Sequence, residues 1–292
     1  MNEYAGIDSF RPMSEREFRF TTEDFQMLSA MAGRHAGINL TEAKRELVYS
    51  RLARRLRQLG LQSFAEYCDI LRREDAEELE IFTNAITTNL TSFFREVHHF
   101  NYLRDELVPA WLDACAGERQ PCLRIWCAGC STGEEPYSVA MTVLTAFKGQ
   151  SGATLDILAT DLDSNVLSTA AKGVYPMDRL NGVPEEYLRQ WFLRGRGRNE
   201  GMARVSDELR QPIRFRKHNM VQERPPNDAK LDAIFCRNVV IYFDKPTQDL
   251  VYRKFSSALR AGGYLMVGHS ESLFNRYDEL KLVARSTYQK QA

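Results

Sequence analysis

The chain has 292 residues, and its 39 Lys and Arg are balanced by 39 Asp and Glu, so any electrostatic recognition must come from local patches rather than from attraction of the whole molecule to nucleic acid or anionic lipid. A mean hydropathy of −0.42 and the lack of any apolar run near the ~18 residues of a membrane helix argue against membrane insertion, and the acidic Asp8, Glu15 and Glu17 in an N-terminus without an apolar core argue against a signal peptide. Six cysteines in so long a chain do not suggest a secreted disulfide scaffold, and a cytoplasmic protein with reduced thiols and about two domains is expected.

Residues 1–20 are expected to form a tail, and residues 21–88 read as a small helical domain. Thr22 is expected to cap a first helix with Phe25, Leu28, Met31 and Ala32 on one side, stopped by Gly37. Thr41 is expected to cap a second, with Val48, Leu52, Leu56 and Leu59 on one face, stopped by Gly60. Phe64, Tyr67, Cys68 and Leu71 mark a third, and Leu79, Phe82 and Ile86 a fourth. Residues 42–57 carry a net charge of +4. Within them Lys44, Arg51, Arg54 and Arg55 share a flank that reads either as a solvated face or as a docking surface for an acidic partner.

After a linker over 89–99 the pattern changes. A helix around 97–114 precedes a strand at 122–127, a loop at 128–133, a helix at 135–147, a strand at 155–160 and a helix at 163–172. Strands follow near 213–217, 231–236 and 263–267, with a helix at 246–259, and a last strand near 281–288. Strands alternating with helices predict an α/β domain over 100–292, with a mostly parallel sheet covered on both faces. Segment 176–216 interrupts this with Gly182, Pro184, Gly195, Gly197 and Gly201. It reads as an inserted subdomain of a helix and short antiparallel strands.

The loop Ala128-Gly129-Cys130-Ser131-Thr132-Gly133 follows a strand and opens a helix, where small residues and free amides let a ligand approach the backbone. It also matches the nucleophile elbow G-x-S-x-G, with Asp244 and His269 in the required order. That elbow belongs inside a sheet after several strands, whereas everything upstream here is helical, and Glu134 and Glu135 put negative charge where an oxyanion needs stabilising. Cys122, Cys127 and Cys130 match one iron–sulfur spacing with Cys236 as a fourth ligand. A strand would turn Cys122 and Cys127 to opposite faces, so buried thiols and no metal are expected. The remaining reading is a nucleotide or nucleoside site with an acid after the next strand to bind ribose, which Asp161 supplies and Asp163 offers as a second candidate. Glu135 would repel a diphosphate and suit a cation, so the charge pattern prefers S-adenosylmethionine, with its sulfonium and amino group, over a dinucleotide.

Five segments in order resemble the CheR-type chemotaxis receptor methyltransferases: Thr87–Glu96 (TTNLTSFFRE), Ala128–Ser138 (AGCSTGEEPYS), Ala159-Thr160-Asp161, Phe235–Asp244 (FCRNVVIYFD) and Gly268–Ser272 (GHSES). The resemblance runs from about residue 22 to 288. It implies a helical N-terminal domain followed by a Rossmann-like methyltransferase domain with an inserted antiparallel β-subdomain. It also implies transfer of methyl from S-adenosylmethionine to glutamate side chains of membrane chemoreceptors, leaving S-adenosylhomocysteine. By the same resemblance, Asn89, Thr91 and Arg95 sit beside the cofactor, along with Gly129 in its loop. Glu135 takes its amino end and Asp161 its ribose, with Asn219-Met220 and Arg237-Asn238 contacting it from later loops.

A glutamate carboxylate is already ionised at pH 7, so the reaction needs alignment and exclusion of water rather than a base. Arg95 is the expected orienting partner of that carboxylate, and Tyr242 is expected to close the site; His98, His99 and His269 read as loop structure. The partner implied is the cytoplasmic domain of a chemoreceptor, without nucleic acid, and a monomer is expected. The rivals are an RNA methyltransferase, suggested by Arg194-Gly195-Arg196-Gly197-Arg198, and a catalytically dead scaffold. Zero net charge argues against the first, and the intact site residues argue against the second. Residues 189–217 carry a net charge of +6. Their Gly-rich run 194–201 resembles the turn by which some family members tether to an acidic, aromatic peptide at a receptor's C-terminus.

Overall fold

The computed structural model describes residues 16–149, 152–226, 230–273 and 277–291. The expected tail lies outside the described residues up to residue 15. Beyond that point it is no tail, because Phe18 and Phe20 are buried in the helical core and Arg19 bridges to Ser63.

Four helices build the N-terminal unit: α1 (Thr22–Ala36), α2 (Arg45–Leu59), α3 (Phe64–Leu71) and α4 (Ala76–Ile86). The cap of α1 is Thr21 rather than Thr22, because Thr21 and Asp24 satisfy each other's backbone amides in a reciprocal capping box. Thr41 makes no side-chain cap; a short 3-10 turn over Glu42–Lys44 leads into α2 instead. Gly37 ends α1 at φ 70°, and a Cβ there would meet Val221 Cγ2 at 2.7 Å. Only glycine supplies both the left-handed turn and this close approach to the second domain.

α5 (His98–Tyr102) and α6 (Val108–Ala114) are joined by one wider, π-type turn over Leu103–Leu107. The remaining elements in chain order are β1 (Cys122–Ala128), α7 (Glu134–Ala146), β2 (Thr154–Asp161), α8 (Ser164–Lys172), β3 (Val174–Pro176), α9 (Glu185–Trp191), β4 (Phe192–Arg194), β5 (Met202–Val205), α10 (Asp207–Arg210), β6 (Ile213–Lys217), β7 (Leu231–Cys236), α11 (Lys245–Ala258), β8 (Leu259–Val267), β9 (Leu280–Ala284) and β10 (Thr287–Lys290).

The large sheet runs β6-β2-β1-β7-β8-β10-β9, and a small sheet runs β3-β5-β4. β6, β2, β1, β7 and β8 are parallel; β10 and β9 add an antiparallel hairpin. The single strand expected near 281–288 is therefore two. The insertion expected over 176–216 is also displaced, because β3 already belongs to it and β6 returns to the large sheet. Along β1, Leu123, Ile125 and Cys127 face a core shared with α5 to α7, while Trp126 and Ala128 face one shared with α11. Both faces are covered, as a parallel sheet requires. The chain moves from β1 to β2 on one side and later to β7 on the other. This reversal of strand order leaves a crevice beyond the carboxyl ends of β1, β2 and β7.

Candidate active site

That crevice continues into a cavity of about 210 Å³ roofed by the helical unit. Ile38, Leu40, Lys44, Leu47 and Ile86 line it from one side and Gly129, Glu135, Asp161, Arg237, Asn238 and Tyr242 from the other. The segment 87–95 closes the wall between them.

The loop after β1 is shaped by the acid that ends β2. Asp161 accepts Ser131 N at 2.8 Å and Asp163 N at 3.0 Å, one on each carboxylate oxygen. Burial raises its pKa, and the backbone amides oppose the rise. Each oxygen keeps a lone pair for a hydroxyl in the cavity. Asp163 is not a second ribose acid: it caps α8 through Asn165 N and accepts Asn89 Nδ2 at 2.8 Å. Ser131 Oγ donates to the Asn89 carbonyl at 3.2 Å, so it serves the loop rather than a nucleophile.

Glu135, the second residue of α7, lies at the cavity floor, nine-tenths buried. Burial pushes its carboxyl up to about 7, against the pull of Arg237. One oxygen meets Arg237 Nη1 at 3.2 Å, while the other, Oε1, is buried without a partner. Arg237 also donates to the Arg95 carbonyl and reaches Glu96 at 3.3 Å, so its charge is divided between two carboxylates. Burial disfavours the ionised Glu96, but Arg237 and the His269 amide bring its carboxyl below the usual range. Arg237 Nε and Asn238 Oδ1 are likewise buried and unpaired. With His218 Nε2, four cavity-lining residues carry a buried unsatisfied polar atom; such atoms are costly to leave unmet and mark a polar ligand, and the bare Glu135 oxygen suits a cationic end.

Other expected residues divide by geometry. Thr91 and Met220 line the cavity, and Arg95 stands in its wall with Nη1 donating to the Leu90 carbonyl at 2.9 Å. Tyr242 lies opposite, with the Lys44 ammonium 5.3 Å from its ring centre. Asn219 lines the cavity too, but its amide is engaged elsewhere, donating to the His35 carbonyl at 2.7 Å and accepting Val221 N at 3.0 Å. It therefore ties the two domains together rather than offering a side chain to the ligand.

Of the basic flank, Arg51, Arg54 and Arg55 line one surface pocket, while Lys44 stands apart in the cavity. Arg51 donates to the Ile86 and Thr87 carbonyls at 2.7 Å each and to Thr88 Oγ1 at 3.0 Å, tying α2 to the end of α4 and the two residues after it. Arg55 is paired with the buried Glu78. Lys44 belongs to the cavity, and Arg54 is exposed. In the small sheet, Arg194, Arg196 and Arg198 are exposed beside β4, an edge strand. Gly195 is required there, because a Cβ would fall 2.0 Å from the Asn199 carbonyl oxygen.

Glu271 carries a role that the sequence reading missed, although its motif was noticed. Its carboxylate accepts Gly268 N at 2.7 Å, Asn238 N at 2.8 Å, Val239 N at 3.0 Å and Ile241 N at 3.2 Å. It thus holds the 237–242 loop, including Asn238 at φ 60°, against the cavity. The histidines read as loop structure gather around Glu96: His98 and His269 stack at 4.7 Å, and these three residues bring ligand-type atoms within 4.8 Å of one another. The Arg237 guanidinium 3.3 Å from Glu96 opposes a metal cation there.

Residues 23–87 match the family described as CheR methyltransferase, all-alpha domain, and residues 89–289 match CheR methyltransferase, SAM binding domain. The chain is 46% identical over 273 residues to chemotaxis protein methyltransferase 2 of Pseudomonas aeruginosa, covering 94% of this chain and 95% of that protein. It is 40% identical over 265 residues to the chemotaxis protein methyltransferase of Salmonella typhimurium, covering 90% and 88%. It is 38% identical over 277 residues to that of Escherichia coli, covering 94% and 93%.

Proposed function

This chain belongs to the CheR methyltransferase family, and from that premise we propose that it esterifies receptor glutamates with Arg95 and Tyr242 at the reacting carboxylate and Glu135 and Asp161 on the cofactor. It is an S-adenosylmethionine-dependent methyltransferase that methylates chemoreceptors in chemotaxis. The observation that carries the residue assignment is Glu135, a buried carboxylate with one unpaired oxygen on the cavity wall.

The chain's donors and acceptors suit S-adenosylmethionine. Glu135 Oε1 would accept from its amino group, Asp161 from its ribose hydroxyls, and Asn238 Oδ1 from a remaining donor. When bound, the cofactor supplies an electrophilic methyl, whose bond to sulfur breaks as the bond to a carboxylate oxygen forms. The chain's own task is placement. The target glutamate is ionised at pH 7 and needs no base. Arg95 orients it through the guanidinium edge left by its single bond to Leu90. Tyr242 and the apolar walls from Ile38, Leu40 and Ile86 keep water from the methyl. Too tight a grip by Arg95 would stabilise the ground state, so its role is position.

No described helix is long and apolar enough to cross a membrane. The reading as a cytoplasmic enzyme rests on the cytoplasmic domain of its target and on the free cysteines. The open edge of β4 and its exposed arginines support a second contact, in which an acidic, aromatic receptor tail adds a strand to the small sheet.

Labelled S-adenosylmethionine offered with a chemoreceptor cytoplasmic fragment or with RNA tests the proposal. Base-labile label in the receptor, lost in Arg95→Ala at near-normal melting temperature, is expected. Label in RNA, or base-stable label, contradicts it.

A further inference from the structure

Along the carboxyl ends of the strands the cavity follows the sheet order β6-β2-β1-β7. Arg237 and Asn238 follow β7, Glu135 stands in α7 after β1, and Asp161 ends β2. His218 is the first residue after β6, and its amide donates to the Asp161 carbonyl at 3.0 Å. It lines the cavity with a side chain only 1% exposed. With Glu135 on the amino end of S-adenosylmethionine and Asp161 on the ribose, the base extends past the ribose, away from β1 and toward β6. His218 stands there, with Ile38, Leu162, Met220 and Phe243 as apolar lining.

The imidazole is fixed both in place and in tautomer. Its Nδ1 lies 3.1 Å from Glu223 Oε2, and Trp126 meets the ring edge to face with centroids 5.7 Å apart. Burial opposes ionisation of Glu223, but the Asn219 amide and the His218 ring hold its carboxyl below the usual range. A carboxylate has no proton to give, so Nδ1 carries the hydrogen. Burial lowers the pKa of the ring against the pull of Glu223, so the ring is neutral at pH 7. Nε2 is then an acceptor, and it is buried without a partner. The cofactor offers its amino group, its ribose hydroxyls and the 6-amino group of adenine as donors. Glu135 and Asp161 take the first two, and Asn238 stands on the amino side, after β7. The 6-amino group is left for His218.

We propose that His218 Nε2 accepts the adenine 6-amino group, with Glu223 as the positioning residue that presents Nε2 as an acceptor, so that this pair selects an adenine base. This rests on the reading of the cavity as the cofactor site. A base without that amino group leaves Nε2 bare in a buried wall, with its desolvation uncompensated.

Calorimetry on the full chain compares S-adenosylhomocysteine with its analogue carrying hydrogen in place of the 6-amino group. The wild type should bind the analogue about ten-fold more weakly, the scale of one buried hydrogen bond. His218→Phe keeps a flat ring and removes the acceptor, so its preference between the two ligands should vanish. Nitrogen NMR of the wild-type histidines reads the same contact without any substitution. His218 Nε2 should be unprotonated, and its resonance should move with S-adenosylhomocysteine and not with the analogue. In Glu223→Ala the proton should pass in part from Nδ1 to Nε2 in the free protein; an unchanged tautomer overturns the role of Glu223. Equal wild-type affinity for the two ligands, an undiminished preference in His218→Phe, or a protonated Nε2 in the complex overturns the assignment of His218. Wild-type protein that binds neither ligand overturns the reading of the cavity as the cofactor site.

Discussion

Two acids in the cavity show why residue type alone does not settle a role. Asp161 and Glu135 are both buried, yet Asp161 receives two backbone amides while Glu135 shares a single guanidinium and keeps one oxygen bare. The difference makes Glu135 the proton-sensitive group. Its folded-state pKa of about 7 lies above the ordinary value, so in the free enzyme it is partly protonated at neutral pH. A cationic amino group bound against it favours the ionised form and expels that proton. Affinity for S-adenosylhomocysteine should therefore rise with pH through about 7 and level off above it. Calorimetry at pH 7 in buffers of different ionisation enthalpy should register proton release, and Glu135→Gln should abolish it. Equal enthalpies across buffers for the wild type would place the cation elsewhere. The motif placed Glu135 in the sequence reading, but its bare oxygen depends on Arg237, 102 positions away. The fourfold use of Glu271 was equally out of reach, because three of its four backbone amides belong to a distant loop.

Among the elements, α2 and the small sheet are the places where charge invited a binding role. On α2 that role divides. Arg51→Ala removes three hydrogen bonds, to the Ile86 and Thr87 carbonyls and to Thr88, at a cost of about 2 kcal/mol. It should lower the melting temperature by several degrees and weaken cofactor affinity, because residues 87–91 form the cavity wall. Arg54→Ala should do neither. Identical melting curves for the two variants would restore the solvated-flank reading. Helical spacing put both residues on one flank, but it carries no record of what packs against that flank. On the small sheet the clue was firmer, since Gly195 and the arginines around it lie beside an edge strand. Deleting Gly195–Gly197 should abolish saturable binding of a peptide ending in an acidic, aromatic motif while sparing methylation of a receptor without that tail. Methylation lost in parallel would make the turn structural.

At the scale of the molecule, the helical unit is part of the site. Asn219 and Gln222 donate to the carbonyls of His35 and Arg34 at the end of α1. Asn39 N donates to the Tyr242 carbonyl at 2.8 Å, and Ile38 bridges to Phe243. The two units thereby grip the cavity from opposite walls, and Tyr242 takes its position partly from the helical side. The sequence showed two units, the alternation that builds the parallel sheet and the motifs that reach the cavity. It did not show the closing antiparallel hairpin, whose two strands are joined at Ser286 with φ 48°, because a short apolar alternation looks the same on one strand or two. Nor did it show that Ile38 and Leu40, between α1 and α2, and Leu47, in the first turn of α2, would serve as the roof, because nothing local to them records which surface they cover. The proposed mechanism needs a cofactor enclosed between the two units, and amide hydrogen exchange with and without S-adenosylhomocysteine measures that enclosure. Protection should rise at 129–135 and 237–242 and, equally, at 38–40 and 86–90 of the helical side. Protection confined to the methyltransferase domain, with 38–40 and 86–90 exchanging as in the free enzyme, would contradict it.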